Sequence, residues 1–562
     1  MIKVKEKVFS KYTLYVFCFV ILNFFDAIRD MQFVSLQINN GYIRLDDILP
    51  GYKMGDVWLI ISNATGILMM LIVLSGYKLK KLLTKTNLVW TGLCAVAMVV
   101  WPYIRTGQNG TILVQEEIAI INAWWIILVA KQIIMKALKE KKLPIKFNLI
   151  VCLWIAITLC MFFSVAKSHI WPVFYLGMFG TFYLTEYKKE DIVCLFHAMI
   201  DGSILAFVLM QTVACLLRPY DIVRYPMLYS DCNMAASYYL IVYVMFLTKL
   251  HVLYMNKAKG WKRLVCVVGQ GSTLVLMFMT GCRMVWVTAI VVTIIYGILV
   301  IKILWKKKWI NVFLKGVILI AVSVAMLYPT YLVIRWTPTV IPARLWYSAE
   351  FNRLEREVLV GESKYSHKYV DIDEMLELQL GRFFRVFPKS ETKSVIPSGI
   401  KSDYWRGEAV IVCAMPANID RSISLVSISD SSLSERMSIY KMYYEKLTWN
   451  GNNPTSQENY EMRYHAHCLY LQIAYYYGIP AGVLLIIIGI TLMVYHIKNM
   501  IRDKNNLYAV LPLMICVIFF VSGIMNVVWN TGQLMLFMLF FTQFPFKKNE
   551  NYIDVAEEKM NG

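Results

Sequence analysis

Apolar stretches of about 20 residues, the length of a transmembrane helix, recur along most of the chain and constrain its fold more than any other feature. A helix of that length rises about 30 Å, the thickness of a bilayer's hydrocarbon core. In hydrocarbon each backbone N–H and C=O must be satisfied inside the segment, so these stretches are predicted to be helical. Composition agrees, with 58% of the 562 residues hydrophobic and 17% charged. Soluble domains carry about 45–50% and about 25%. A disordered chain and a soluble globular enzyme are both excluded. The twelve cysteines are scattered without a CxxC and fall mostly inside apolar spans, which is neither a disulfide framework nor a zinc ribbon.

Windows bounded by charges predict fourteen spans, at 8–25, 57–76, 87–104, 114–135, 146–165, 169–186, 191–217, 233–254, 264–281, 284–304, 311–329, 469–495, 507–526 and 528–545. The fold class expected is an all-α polytopic membrane protein. The net charge of +20 belongs to the connections and is no sign of a nucleic-acid partner. Every second connection is lysine-rich, as at Lys78/Lys80/Lys81, Lys136/Lys139/Lys141, Lys188/Lys189, Lys257/Lys259/Lys262/Arg263 and Lys306/Lys307/Lys308. The positive-inside rule puts these loops in the cytoplasm, and an even span count puts both termini there too. The first span has no small-residue cleavage site and reads as an anchor.

The layout expected is eleven spans in 1–329, a large extracytoplasmic loop at 330–468, three spans in 469–545 and a cytoplasmic tail at 546–562. The loop is polar with helical patterning. Leu433, Met437, Tyr440, Tyr444 and Leu447 recur at helical spacing after the capping residues Asp430, Ser431 and Ser432. Asp371 and Asp373 form a D-x-D pattern, but in an acidic helical run they read first as a solvated face.

Polar residues at the outer span ends are the candidates for chemistry. Arg218 and Arg224 flank the connection after the seventh span. Asn233 opens the eighth, and Arg283 lies in the minimal turn between the ninth and tenth. Arg436 begins the loop's helical segment, and His465 and His467 precede the twelfth span. Guanidinium groups match phosphate oxygens bidentately and stay charged in any surroundings, so several on one face suggest an anion site. Each alone would also serve as a helix-end anchor at the headgroups. His467 is expected in the first turn or cap of a helix, where the dipole disfavours imidazolium. A neutral imidazole can take a proton from a hydroxyl, although an interfacial histidine bonded to backbone or lipid phosphate has the same spacing. His465, His467 and Cys468 lack nearby carboxylates, and no metal is expected there. His197 and Asp201, four apart inside the seventh span, are either a functional pair or a packing contact.

The string from His467 through Gln472 to Gly478 and Gly482 resembles the "H-N-x-x-L-Q…G-x-x-G" signature of the O-antigen ligase and O-antigen polymerase family, enzymes of bacterial surface polysaccharides. Three more segments follow the family order. Residues 224–236 resemble "R-x-x-G-x-F-x-x-P-N-x-x-A", Thr280-Gly-Cys-Arg283 resembles a "T-x-S-R" turn, and Arg436-Met-Ser-Ile-Tyr resembles "R-x-x-I-W". The likeness covers roughly residues 200–545, and the earlier spans match in hydropathy alone. Cys468, Cys282 and Cys232 stand where the family has Asn, Ser and Pro, and its Gly-rich stretch is reduced to Trp449-Asn-Gly-Asn-Asn-Pro454.

The resemblance implies a GT-C-like glycosyltransferase in the bacterial cytoplasmic membrane. Its donor would be a glycan on undecaprenyl diphosphate and its acceptor a hydroxyl on a sugar, a lipid or another molecule. It implies no cofactor and no metal, with other polysaccharide assembly proteins as partners. Arg224 and Arg283 would hold the diphosphate and Arg436 would close from the loop. Asn233, Arg218 and His465 would line the substrate, while His467 activates the acceptor. Competing readings are a flippase or transporter of a lipid-linked glycan, a transferase using the acidic residues Asp26, Asp30, Asp46 and Asp47 of the first outer loop, and a membrane scaffold.

Overall fold

The computed structural model describes residues 11–30, 35–38, 41–44, 60–61, 63–69, 83–105, 110–141, 149–166, 174–175, 177–178, 189–217, 224–229, 232–304, 309–340, 346–348, 353–355, 372–383, 437–453, 466–502, 508–524 and 534–543. Helices dominate: α1 Lys11–Asp30, α2 Lys85–Ile104, α3 Gly110–Glu140, α4 Leu149–Phe162, α5 Lys189–Leu217, α6 Cys232–Met255, α7 Gly260–Met279, α8 Arg283–Tyr296 and α9 Trp309–Val340. Further on come α10 Ile372–Phe383, a helix over 437–445 (α11), α12 Leu469–Tyr477, α13 Ile479–Arg502, α14 Val510–Ser522 and α15 Leu534–Thr542. Among the described residues eight helices are long and apolar enough to cross a membrane: α2, α3, α5, α6, α7, α8 with its π-helical continuation, α9 and α13.

Burial sorts these helices into layers. In α6, 78% of the apolar window is buried, against 11% in α2 and in α9. The central helix α6 packs on α5, α7, α8 and α14, and α1 lies along α5. The α1–α5 approach is close because residue 202 is glycine. A Cβ there would stand 2.9 Å from the Val16 carbonyl oxygen and 2.8 Å from Phe19 Cβ. The outward faces of α2 and α9 carry exposed Val, Leu, Ile and Phe, which suits contact with lipid.

Three expectations change. The span expected at 469–495 is two helices, because Gly478 breaks it at φ +96° and ψ 155°, a region essentially reserved for glycine. Only α13 has the length of a span. The face expected on the loop helix is also different. Met437 and Tyr444 are 59% and 71% exposed, while Tyr443 is fully buried against Ala466 and Tyr475, with Ile439 and Met442 beside it. Finally, periodicity did not announce a small sheet of order β2-β1-β4-β3, built from β1 Ser35–Ile38, β2 Gly41–Arg44, β3 Trp346–Ser348 and β4 Arg353–Glu355. The β1–β2 and β3–β4 pairs are antiparallel, and β1 runs parallel to β4 with Leu36 opposite Leu354. The segment after α1 is thereby joined to the segment after α9.

Candidate functional site

Arg224 is the hub of one end of the bundle. Its Nε donates to the Thr280 carbonyl at 2.7 Å and its Nη2 to Asn233 Oδ1 at 3.1 Å. Both acceptors are neutral, so neither takes up the guanidinium charge. The backbone supports the same junction. Tyr225 N donates to the Met279 carbonyl at 2.9 Å, Cys232 Sγ lies 3.6 Å from the Arg224 carbonyl, and Gly281 turns the chain at φ +64°. Arg283 follows as the first residue of α8 and is half-buried. Gln379 of α10 reaches the Met279 carbonyl at 3.3 Å, so the large loop touches this junction. Three expected candidates, Arg224, Asn233 and the Thr280–Arg283 turn, are therefore brought together.

Beneath them the chain turns tightly at Pro226–Tyr229, with Tyr229 N donating to the Pro226 carbonyl at 2.9 Å and Met227 at φ +53°. Few non-glycine residues adopt that conformation. The turn aims Tyr229 Oη at Asp26 Oδ2, 2.9 Å away, while Asp26 Oδ1 accepts from Leu534 N at 2.9 Å. One buried carboxylate thus ties α1, the turn and the start of α15. Gln211 adds a second tie, donating to Tyr225 Oη at 2.9 Å and accepting from Tyr239 Oη at 3.2 Å. Asp26→Ala strands two buried donors and is expected to cost about 2–4 kcal/mol. Thermal unfolding of the detergent-purified protein measures that loss.

His467 belongs to the same end. Tyr508, just before α14, lies 6.2 Å from the His197 ring that Tyr12 at the start of α1 also meets, so α14 and α1 both run from that ring toward the end where Gly523 and Asp26 lie. Leu469 N donates to the Gly523 carbonyl at 2.7 Å, just past α14, and Tyr470 Oη donates to the Phe520 carbonyl at 2.7 Å. The N-cap of α12 is Cys468, and burial pushes its thiol pKa up. His467 therefore sits one residue before the cap, outside the first turn or cap expected for it, and holds φ +49°. Left-handed backbone at a residue with a Cβ costs about 1–3 kcal/mol and gathers at functional sites. Two contacts impose it. Gln472 Oε1 accepts from Ala466 N at 2.7 Å, and Tyr440 Oη of α11 donates to the His467 carbonyl at 3.3 Å. Tyr440→Phe removes one such contact and is expected to cost about 0.5–1.5 kcal/mol, read as a small fall in melting temperature.

The loop after α11 is locked over the α12–α13 break. Ile479 N donates to the Thr448 carbonyl at 3.0 Å and Asn452 N to the Tyr475 carbonyl at 2.9 Å. Gly451, at φ +80°, crosses Gly478, and a Cβ on either would lie 2.1 Å from a backbone oxygen of the other strand. Val165 N donates to the Asn450 carbonyl at 2.9 Å, fastening the loop to the end of α4. Buried below, Tyr443 packs on Tyr475 at 4.9 Å between ring centroids, and burial raises its phenol pKa.

Arg218, Arg436 and His465 lie outside the described residues, as do Asp46, Asp47 and Asp371. Asp373 is exposed on α10. Asp26 serves as a buried structural acceptor. His197 and Asp201 do pair, at 3.1 Å, but within a larger group toward the other end of the bundle, where Lys249 Nζ lies 2.7 Å from Asp201 and Tyr12 donates to it. Sequence reasoning missed Gln211, Tyr225, Tyr229, Gln379 and Tyr440. Polar side chains within apolar or aromatic runs were the signal for the first three. Comparison with protein-family models, curated proteins and solved structures gives no match.

Proposed function

We propose that this chain is a membrane glycosyltransferase of the O-antigen ligase and polymerase kind, working in the bacterial cytoplasmic membrane on a glycan carried by undecaprenyl diphosphate. The observation that carries the reading is the junction of Arg224 with Asn233 and the Thr280 carbonyl, because it joins two separate segments of the resemblance. Glycine geometry adds support. Met227 occupies the position where the family pattern has glycine, and its backbone is left-handed. Gly451 and Gly478, in the two segments likened to the family's glycine motifs, both hold positive φ at their crossing.

In this reading Arg224 and Arg283 hold the diphosphate, and Arg436 closes from the loop. Asn233 keeps Arg224 aligned, while Arg218 and His465 line the substrate. His467 takes the proton of the acceptor hydroxyl, whose oxygen attacks the anomeric carbon of the donor. The bond from that carbon to the diphosphate breaks, and undecaprenyl diphosphate leaves with the electron pair. Fixed cations stabilise the charge that develops on it.

The test is a glycan profile of a strain lacking the gene, rescued by wild type or by variants. Single repeat units left on lipid mean a polymerase, and long chains stranded on lipid mean a ligase. An unchanged profile contradicts the proposal. A second reading, transport of the lipid-linked glycan, is favoured by the Tyr12–His197–Asp201–Lys249 group between α1, α5 and α6. Loss of rescue in His197→Ala and Asp201→Asn, with rescue by His467→Ala, would select it.

A further inference from the structure

The end of the bundle opposite Arg224 carries a concentration of cations that glycan transfer does not use. From Cys232 to Ala349 the sequence has no Asp or Glu, while ten Lys and Arg fall at 249–263 and 302–315 within that stretch. Two of them converge on one ring. Arg263 Cζ, from the start of α7, lies 5.1 Å from the Tyr254 ring centroid, and Lys315 Nζ, from α9, lies 4.5 Å from it. Three helices thus meet at one tyrosine that gathers two positive charges, an arrangement that suits an anion. Arg263 Nε is buried and has no hydrogen-bond acceptor among the described residues. Asp201, the acidic partner of the neighbouring Lys249, is shared with His197 and Tyr12.

The scaffold is fixed and its depth is marked. α6 ends in a Schellman turn, with Ala258 N donating to the Leu253 carbonyl at 3.0 Å and Lys257 N to the Tyr254 carbonyl at 3.2 Å. Lys257 holds the left-handed position at φ +50°. Trp261 and Trp309, near the starts of α7 and α9, are 61% and 57% exposed, and exposed tryptophans at span ends sit at headgroup level. The twenty residues of α7 separate this end from the Thr280 turn by about 30 Å, one bilayer core.

We infer that Arg263, Lys315 and Tyr254 form a binding site for the phosphate headgroup of an anionic phospholipid at the lysine-rich membrane face. This site stands apart from the proposed transferase site and does not depend on it.

The test uses full-length protein, delipidated in detergent and titrated with phosphatidylglycerol or phosphatidylcholine, with bound lipid read by native mass spectrometry. Phosphatidylglycerol should be retained in preference. Arg263→Gln and Lys315→Gln should each weaken it about fivefold, the effect of one cation near a headgroup. Lys315→Arg should keep it, which separates lost charge from lost fold. Lys139→Gln with Lys141→Gln, on another lysine-rich connection, should leave it unchanged. Equal weakening by that control pair would mean diffuse surface charge and overturn the site. Displacement of the lipid by millimolar inorganic phosphate would assign the site to free phosphate, and retention unaffected by Arg263→Gln would also refute it.

Discussion

Gly478→Ala is expected to unfold the outer half of the α12–α13 unit. The added Cβ would stand 2.1 Å from the Trp449 carbonyl oxygen and 2.9 Å from its carbon, both backbone atoms that no rotamer change can move. The conformation itself, φ +96° and ψ 155°, is one that alanine does not adopt without strain. Strain of about 1–3 kcal/mol and overpacking of about 1–3 kcal/mol act together, so a loss of about 4 kcal/mol is expected. Gly451→Ala meets the Tyr476 oxygen at the same 2.1 Å and should behave alike. The fall in melting temperature measures the effect, and limited proteolysis should show cleavage rising within 446–453. A melting temperature unchanged in both variants would mean that the two strands do not cross.

His467→Gly should separate stability from activity. Glycine takes φ +49° without the penalty a Cβ brings, so the fold at Ala466–Leu469 is kept and the unfolding free energy stays within about 1 kcal/mol of wild type. Transfer should nonetheless fall by about 10²–10⁴-fold, the range for removing a general base. His467→Asn tolerates the same backbone and should give the same split. Arg283→Ala is the companion variant on the phosphate side. Retained activity in His467→Gly would remove the histidine from the reaction. Lost activity with a lost fold would make it a structural residue.

The helical, membrane-spanning character was legible because hydropathy is a property of each segment alone. Thus α2, α3, α5, α6, α7, α8 and α9 stand close to the spans expected from hydropathy, while α13 takes up only part of the span expected at 469–495. The Arg224–Asn233–Thr280 junction was legible in part, since polar residues at span ends stand out against apolar runs. The break at Gly478 was written in Gly478-Ile-Pro480, yet the apolar residues on both sides hid it. The buried face of α11 was misread because Tyr444 and Tyr443 are chemically alike, and only the docking partner Tyr475 decides which goes inside. Asp26 was taken for a loop acid. Its two donors, Tyr229 and Leu534, are 203 and 508 residues away in sequence, a separation no local pattern reports. The same holds for the pairing of β1 with β4, which links segments more than 300 residues apart.

The most direct measurement is transfer by the purified protein itself. Wild type and His467→Gly would be reconstituted in liposomes with lipid-linked glycans extracted from the deletion strain, together with their natural acceptor fraction. Release of undecaprenyl diphosphate and elongation of the acceptor would be followed by mass spectrometry. The account predicts release coupled to elongation for wild type and neither for His467→Gly. Movement of intact lipid-linked glycan across the bilayer by wild type, with no undecaprenyl diphosphate released, would contradict it.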